Sequence, residues 1–174
     1  GYLAGAREDF GPIVEQVLAH AATVWWGGDA MPSYTPSFGP DMFAAWLGAE
    51  LKFDPRNYGT DWVEACVDDW DQWLPLTLAP NNPWWRRMLD FCAALAEAFE
   101  GKMLVAHLDL HSYTDALSAM REPSKLCLDM IDEPETVERA MRDVRALYQP
   151  IYDGLYQAAQ MDRYGTCGWV PAYH

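Results

Sequence analysis

Past Asn82 the spacing of apolar residues changes from three and four to two and back again, and that alternation leaves few folds open. Trp85, Met88, Leu89, Cys92, Leu95, Ala96 and Phe99 recur at three- and four-residue steps and so share one face of a helix. Asn82 can cap that helix, Pro83 suits its first position, and Gly101 ends it. Residues 102–110 then alternate as a strand does, with Leu104, Ala106, Leu108 and Leu110 on one face. Met103, Val105, His107 and Asp109 fall on the other, and His111 continues it. Ser112 with Asp115 resembles a capping box for a short helix reaching Met120, and Asp132 with Glu135 repeats the arrangement before a much longer one. Val137, Met141, Val144, Tyr148, Ile151, Leu155 and Ala159 line that longer helix, which Pro150 is expected to bend. Residues 165–170 read as a further strand. Helix, strand, helices, strand is the order of an α/β fold with a parallel sheet.

The first half is less regular. Phe10, Ile13, Val14, Val17, Leu18 and Ala21 predict an amphipathic helix over residues 9–22. A long aromatic, Pro- and Ser-rich loop follows, then a short helix around Met42, Phe43, Trp46 and Leu47 that Gly48 closes. Residues 51–53 and 62–66 read as short strands, either a hairpin or two separate elements, around the turn-forming residues 54–59. Of the nine tryptophans, Trp46, Trp70 and Trp85 are expected in the core, and Asp68, Asp69 and Asp71 as a solvated turn.

At 174 residues one domain is expected. The 26 acidic against 12 basic residues leave a net charge of -14, which repels a phosphate backbone and argues against nucleic acid as a partner. Charge or proline interrupts every apolar run before the roughly 20 residues a membrane span needs. Cys66, Cys92, Cys127 and Cys167 have neither C-x-x-C pairing nor zinc-finger spacing, so free thiols in the cytoplasm are expected.

Three stretches carry a resemblance. Val105-Ala106-His107-Leu108-Asp109-Leu110-His111 leads into Asp115-Ala116-Leu117-Ser118-Ala119-Met120-Arg121-Glu122, and Asp132-Glu133-Pro134-Glu135-Thr136-Val137 forms a D-x-P-E-x-V helix start. The third is Gly28-Asp29-Ala30-Met31-Pro32-Ser33 through Phe38-Gly39-Pro40, with Asp69-Trp70-Asp71 and Asn82-Pro83-Trp84-Trp85. Together they resemble the N-terminal half of uroporphyrinogen-decarboxylase-like enzymes. The resemblance implies a (β/α)8 TIM barrel, of which a chain this long supplies only part, since such barrels run to about 250 residues. It also implies a lyase that decarboxylates a tetrapyrrole (porphyrin-type) or related carboxylated substrate without a cofactor. The alternative within the superfamily is methyl transfer with zinc, a corrinoid and a corrinoid protein as partner. The R-x-x-x-R-Y and F-S-D-I-like motifs of the decarboxylases do not occur in this sequence, and the zinc motif of the methyltransferases belongs to a later part of their chains.

In a barrel, the carboxyl ends of the strands form the active site. His107, Asp109 and His111 then become the catalytic candidates, two imidazoles for proton transfer and a carboxylate to orient one of them. A divalent metal on the same three residues is a narrower reading. Asp29, Ser33 and Tyr34 in the early loop, and Trp169 and Tyr173 after the last strand, are candidates for binding substrate. The partners expected are a small-molecule substrate and a second copy of the chain in a homodimer, with no nucleic acid and no membrane. A non-catalytic ligand-binding domain is the reading from another functional class.

Overall fold

The computed structural model describes residues 1–53 and 61–168. In chain order its elements are α1 (Tyr2–Arg7), α2 (Gly11–Thr23), β1 (Ser33–Tyr34), α3 (Met42–Trp46), β2 (Leu51–Phe53), β3 (Asp61–Val63), a 3-10 turn (Trp70–Gln72) and α4 (Pro83–Phe99). Then come β4 (Leu104–Val105), α5 (Thr114–Arg121), α6 (Pro123–Asp132), α7 (Pro134–Ala158) and α8 (Met161–Tyr164).

The expected (β/α)8 barrel does not form among these residues. Helix accounts for 57% of the described residues and strand for 7%, and the strands make two separate two-stranded sheets, β1 with β4 in parallel and β2 with β3 antiparallel. A barrel strand needs a hydrogen-bonded neighbour on each side, and residues 102–110 have too few. Leu104 N donates to Pro32 O and Ala106 N to Tyr34 O, after which His107 N finds a single acceptor, Cys167 O. The strand expected there is therefore reduced to Leu104–Val105, and that expected over 165–170 to one bridge at Cys167, with Trp169 and Val170 outside the described residues. Met103 to Ala106 are all buried, and burial alternates only from His107 onward. Leu104, Ala106, Leu108 and Leu110 are buried, Asp109 is exposed, and His107 and His111 are half-buried.

The chain divides into two compact units. The first comprises Gly1–Phe38, Arg86–Asp109 and the residues from Tyr152 onward. Its core is aromatic: Phe91 stacks on Phe10 at 4.9 Å and on Phe38 at 5.7 Å, and the edge of Tyr34 meets it at 6.3 Å. Gly5 leaves room for Phe38, because a Cβ there would sit 2.8 Å from the ring. Met88, Cys92, Leu95 and Phe99 of α4 are fully buried, as their spacing predicts. By contrast the apolar stripe of α2 is mostly uncovered, with only Val14 buried and Leu18 exposed.

The second unit comprises Gly39–Trp85 and Leu110–Ile151. Trp46, Trp70 and Trp85 are buried there, as expected, with Trp46 edge-on to Trp85 at 5.1 Å. Asn82 caps α4 by accepting from Trp85 N, while its amide donates to Ala45 O and Trp46 O. Two helix starts differ from expectation. Ser112 makes no side-chain cap, since Tyr113 occupies that position, and Asp132 closes α6 instead of opening the long helix, which begins at Pro134. The missing N–H of Pro134 costs nothing at a helix start. Val137, Val144 and Ile151 of α7 are buried as predicted, and the helix runs on through Pro150.

Candidate functional site

The second unit carries an open cavity of about 490 Å³. One face of α5 lines it through Asp115, Ser118 and Ala119, which lie at i, i+3 and i+4. His111 and Glu122 flank that helix, and Asp41, Val63, Ala65 and Pro123 also line the cavity. Asp41 is fixed by its Oδ2, which accepts from Val63 N at 3.1 Å.

Three of the six non-glycine residues with positive φ among the described residues lie here. His111 has φ 41° and Glu122 φ 82°, and Tyr113, just before α5, has φ 55°. Side-chain-bearing residues seldom occupy the left-handed region, and they persist there only when their surroundings hold them, which happens most at functional sites. At Glu122 the hold is visible. Met120 O accepts from both Cys66 N and Val67 N, and the Arg121 guanidinium bridges Asp129 to Val67 O and Asp68 O. Trp70 Nε1 donates to the same Asp129 carboxylate at 2.8 Å. The Arg121 hydrogen bond, helped by that of Trp70, holds the Asp129 carboxyl below its ordinary range.

Asp61 adds a second carboxyl beside Asp41. It is 1% exposed, and its Oδ2 has no hydrogen-bond partner among the described residues. Burial pushes its pKa up from 3.8 to about 7, and the charge of Asp41 acts in the same direction. Asp61 and Val63 share a face of β3, so this acid lies on the same strand face as a residue of the cavity wall. Gly39 closes over it, since a Cβ at that position would overlap Asp61 Oδ1.

The catalytic trio expected from the sequence divides between the units. His107 and Asp109 belong to the first and His111 to the second, where only His111 lines the cavity. His107 stacks on Tyr152 at 4.3 Å and its Nδ1 lies 2.9 Å from Leu108 O, while Nε2 is buried with no partner among the described residues. Burial lowers its pKa, which favours the neutral ring. Asp109 and Asp29 are exposed. Ser33 and Tyr34 come together in the wall of a separate cavity in the first unit. Trp169 and Tyr173 lie outside the described residues.

Asp41, Asp61, Ser118 and Glu122 were not among the expected residues. Asp61 was legible in principle, because extending the strand of Trp62 and Val63 back by one residue puts a carboxyl on its apolar face. Glu122 was not, since its role depends on a backbone angle.

The chain matches no known family model, no curated protein and no solved structure. Among the described residues no helix is long and apolar enough to cross a membrane, and no group of three or more His, Cys, Asp or Glu is arranged to hold a metal ion. The narrower metal reading of His107, Asp109 and His111 has no such group behind it, and the described residues do not offer a zinc site for methyl transfer.

Proposed function

We propose that this chain is a uroporphyrinogen-decarboxylase-like enzyme of the cytoplasm, and that the cavity of the second unit receives its small-molecule substrate. The supporting observation is that His111, Asp115, Ser118 and Glu122, all within the stretch that carries the family resemblance, line one cavity and bring two strained backbone positions to it. Four free cysteines suit a reducing compartment.

His111 is the proton-transfer group in this reading. Decarboxylation breaks the bond between a side-chain methylene and its carboxylate, CO2 leaves, and the electron pair stays on the methylene carbon, spread into the attached ring. An imidazolium then supplies the proton that makes the methyl group, and water restores it. The carboxyl oxygens of Asp41, Asp115 and Glu122 accept hydrogen bonds and suit donors such as pyrrole N–H groups. Among the described residues no lysine or arginine lines the cavity, so these walls offer no cation to the carboxylates of a tetrapyrrole.

That same lining favours a second reading, methyl transfer from an uncharged substrate. Zinc, for which the described residues offer no site, and a corrinoid on a partner protein would supply thiolate activation and methyl carriage. Incubating the full chain with uroporphyrinogen, and separately with a methylated corrinoid and a thiol, tests both readings. Turnover in one assay, reduced about 100-fold or more in His111→Ala, is expected. Turnover in neither, or a His111→Ala protein as active as the parent, would leave the non-catalytic ligand-binding reading in its place.

A further inference from the structure

The second cavity lies wholly in the first unit, shares no residue with the one above, and does not depend on the enzymatic reading. It measures about 280 Å³. Ile13, Val17 and Ala21 of α2 form its floor with Met103, and these account for most of the apolar stripe that α2 leaves uncovered. Gln16 and His20, both exposed, stand at its mouth.

Two rings complete the wall, and both are held in place. Trp26 is pinned by its indole N–H, which donates to Ala21 O at 3.0 Å across five residues. Tyr34 is on β1, whose backbone is fixed by the parallel pairing with β4 and by Ala106 N donating to Tyr34 O. Phe91 meets its ring from one side. Burial raises the Tyr34 pKa, so its hydroxyl stays a neutral donor. A mostly apolar hollow with fixed walls and a few polar groups at one edge is the usual form of a small-molecule site.

We infer that this cavity binds a neutral, flat aromatic molecule of one or two rings, stacked between Trp26 and Tyr34 with a polar substituent toward Ser33, Gln16 and His20. The volume lies just under the 300–1,000 Å³ typical of drug-sized ligands, which sets the upper size. Charge decides the rest. Among the described residues no carboxylate lines the cavity to hold a cation, and no lysine or arginine lines it to hold an anion, in a chain whose net charge is -14. Two fixed rings and a thioether reward a polarisable planar ligand over a flexible alkyl chain.

The test uses N-phenyl-1-naphthylamine, a neutral fluorophore that brightens in apolar surroundings, with the full chain. One saturable site is expected, displaced by 2-naphthol in preference to n-decanol, with affinity at least tenfold weaker in Ala21→Phe, which plants a ring inside the hollow. Ile131→Lys, on the exposed apolar face of α6, should leave binding unchanged. If Ala21→Phe alters the circular dichroism, Val17→Trp at a half-buried position serves instead. Unsaturable binding, parental affinity in the filled variant, loss of binding in Ile131→Lys, or stronger displacement by decanol would each overturn the inference.

Discussion

Replacing Asp61 by asparagine should reverse the sign of a mutational effect between mildly acidic and mildly alkaline pH. In the folded chain the Asp61 carboxyl titrates at about 7 because it is buried, against an ordinary value of 3.8. Between those values the folded state keeps a proton that the unfolded state has released, so stability falls as pH rises. The favourable contribution is complete below about pH 4 and gone above about pH 7. Roughly three pH units at about 1.4 kcal/mol each give a loss on the order of 4 kcal/mol, reduced to about 2–4 kcal/mol if water reaches the ionised group. Asparagine has nearly the same shape and cannot ionise. Urea unfolding followed by circular dichroism at pH 4.5, 6.0, 7.0 and 8.0 should therefore find Asp61→Asn equal to or slightly weaker than the parent at the lowest pH, and more stable by about 2 kcal/mol or more at the highest. The other 25 acidic residues are common to both proteins and cancel in the difference. Two stability curves that stay parallel across this range would refute the claim that Asp61 folds in its protonated form.

Two further substitutions probe the same unit, with Gly28→Ala in the first unit for comparison. Gly39→Ala should cost about 3 kcal/mol or more in denaturant unfolding, because φ 131° and the overlap with Asp61 Oδ1 act together, whereas Gly28→Ala, with φ 62° and open space around it, should cost about 1 kcal/mol. Asp129→Asn should cost about 3 kcal/mol at pH 7 by leaving the mostly buried Arg121 guanidinium without its anion. Since the Asp129 carboxyl is depressed, the wild-type advantage exists above about pH 4 and fades as pH falls through the folded value, the opposite direction to Asp61.

What could be read from the sequence depended on how local its cause was. The burial of α4 and α7 follows from apolar spacing and was legible for most positions, as was the Asn82 cap, although Leu89, Met141 and Tyr148 are only half-buried and the buried Phe91 and Ala140 were not anticipated. Whether a periodic segment finds partners is not local. The alternation over residues 102–110 could not show how few partners it would find, Ser33 and Tyr34 with one bridge at Cys167 among the described residues, and the barrel expectation failed at that step. Helix α6 was missed for another reason. Leu128, Met130 and Ile131 are exposed on it, so its apolar residues do not trace one buried face. Within the cavity, helix α5 was anticipated but its Ser112 cap was not borne out, and the positive φ of His111 and Glu122, which sets where those side chains stand, leaves no mark in residue type.

That backbone angle separates two histidines that alternation alone would put together. His107 and His111 share a strand face only if every residue between and including them is extended, and His111 at φ 41° is not. His107 is then better understood as a neutral packing ring against Tyr152 than as an acid or base. The consequence is measurable. Phenylalanine at position 107 gives up the Nδ1 hydrogen bond to Leu108 O, worth about 1 kcal/mol, and removes a buried Nε2 whose lack of a partner costs about 1–3 kcal/mol. His107→Phe should therefore melt at or slightly above the parental temperature and keep any activity that His111→Ala abolishes. A loss of more than about 2 kcal/mol in His107→Phe would mean that Nε2 does have a partner, and a loss of activity without a loss of stability would return His107 to the chemistry.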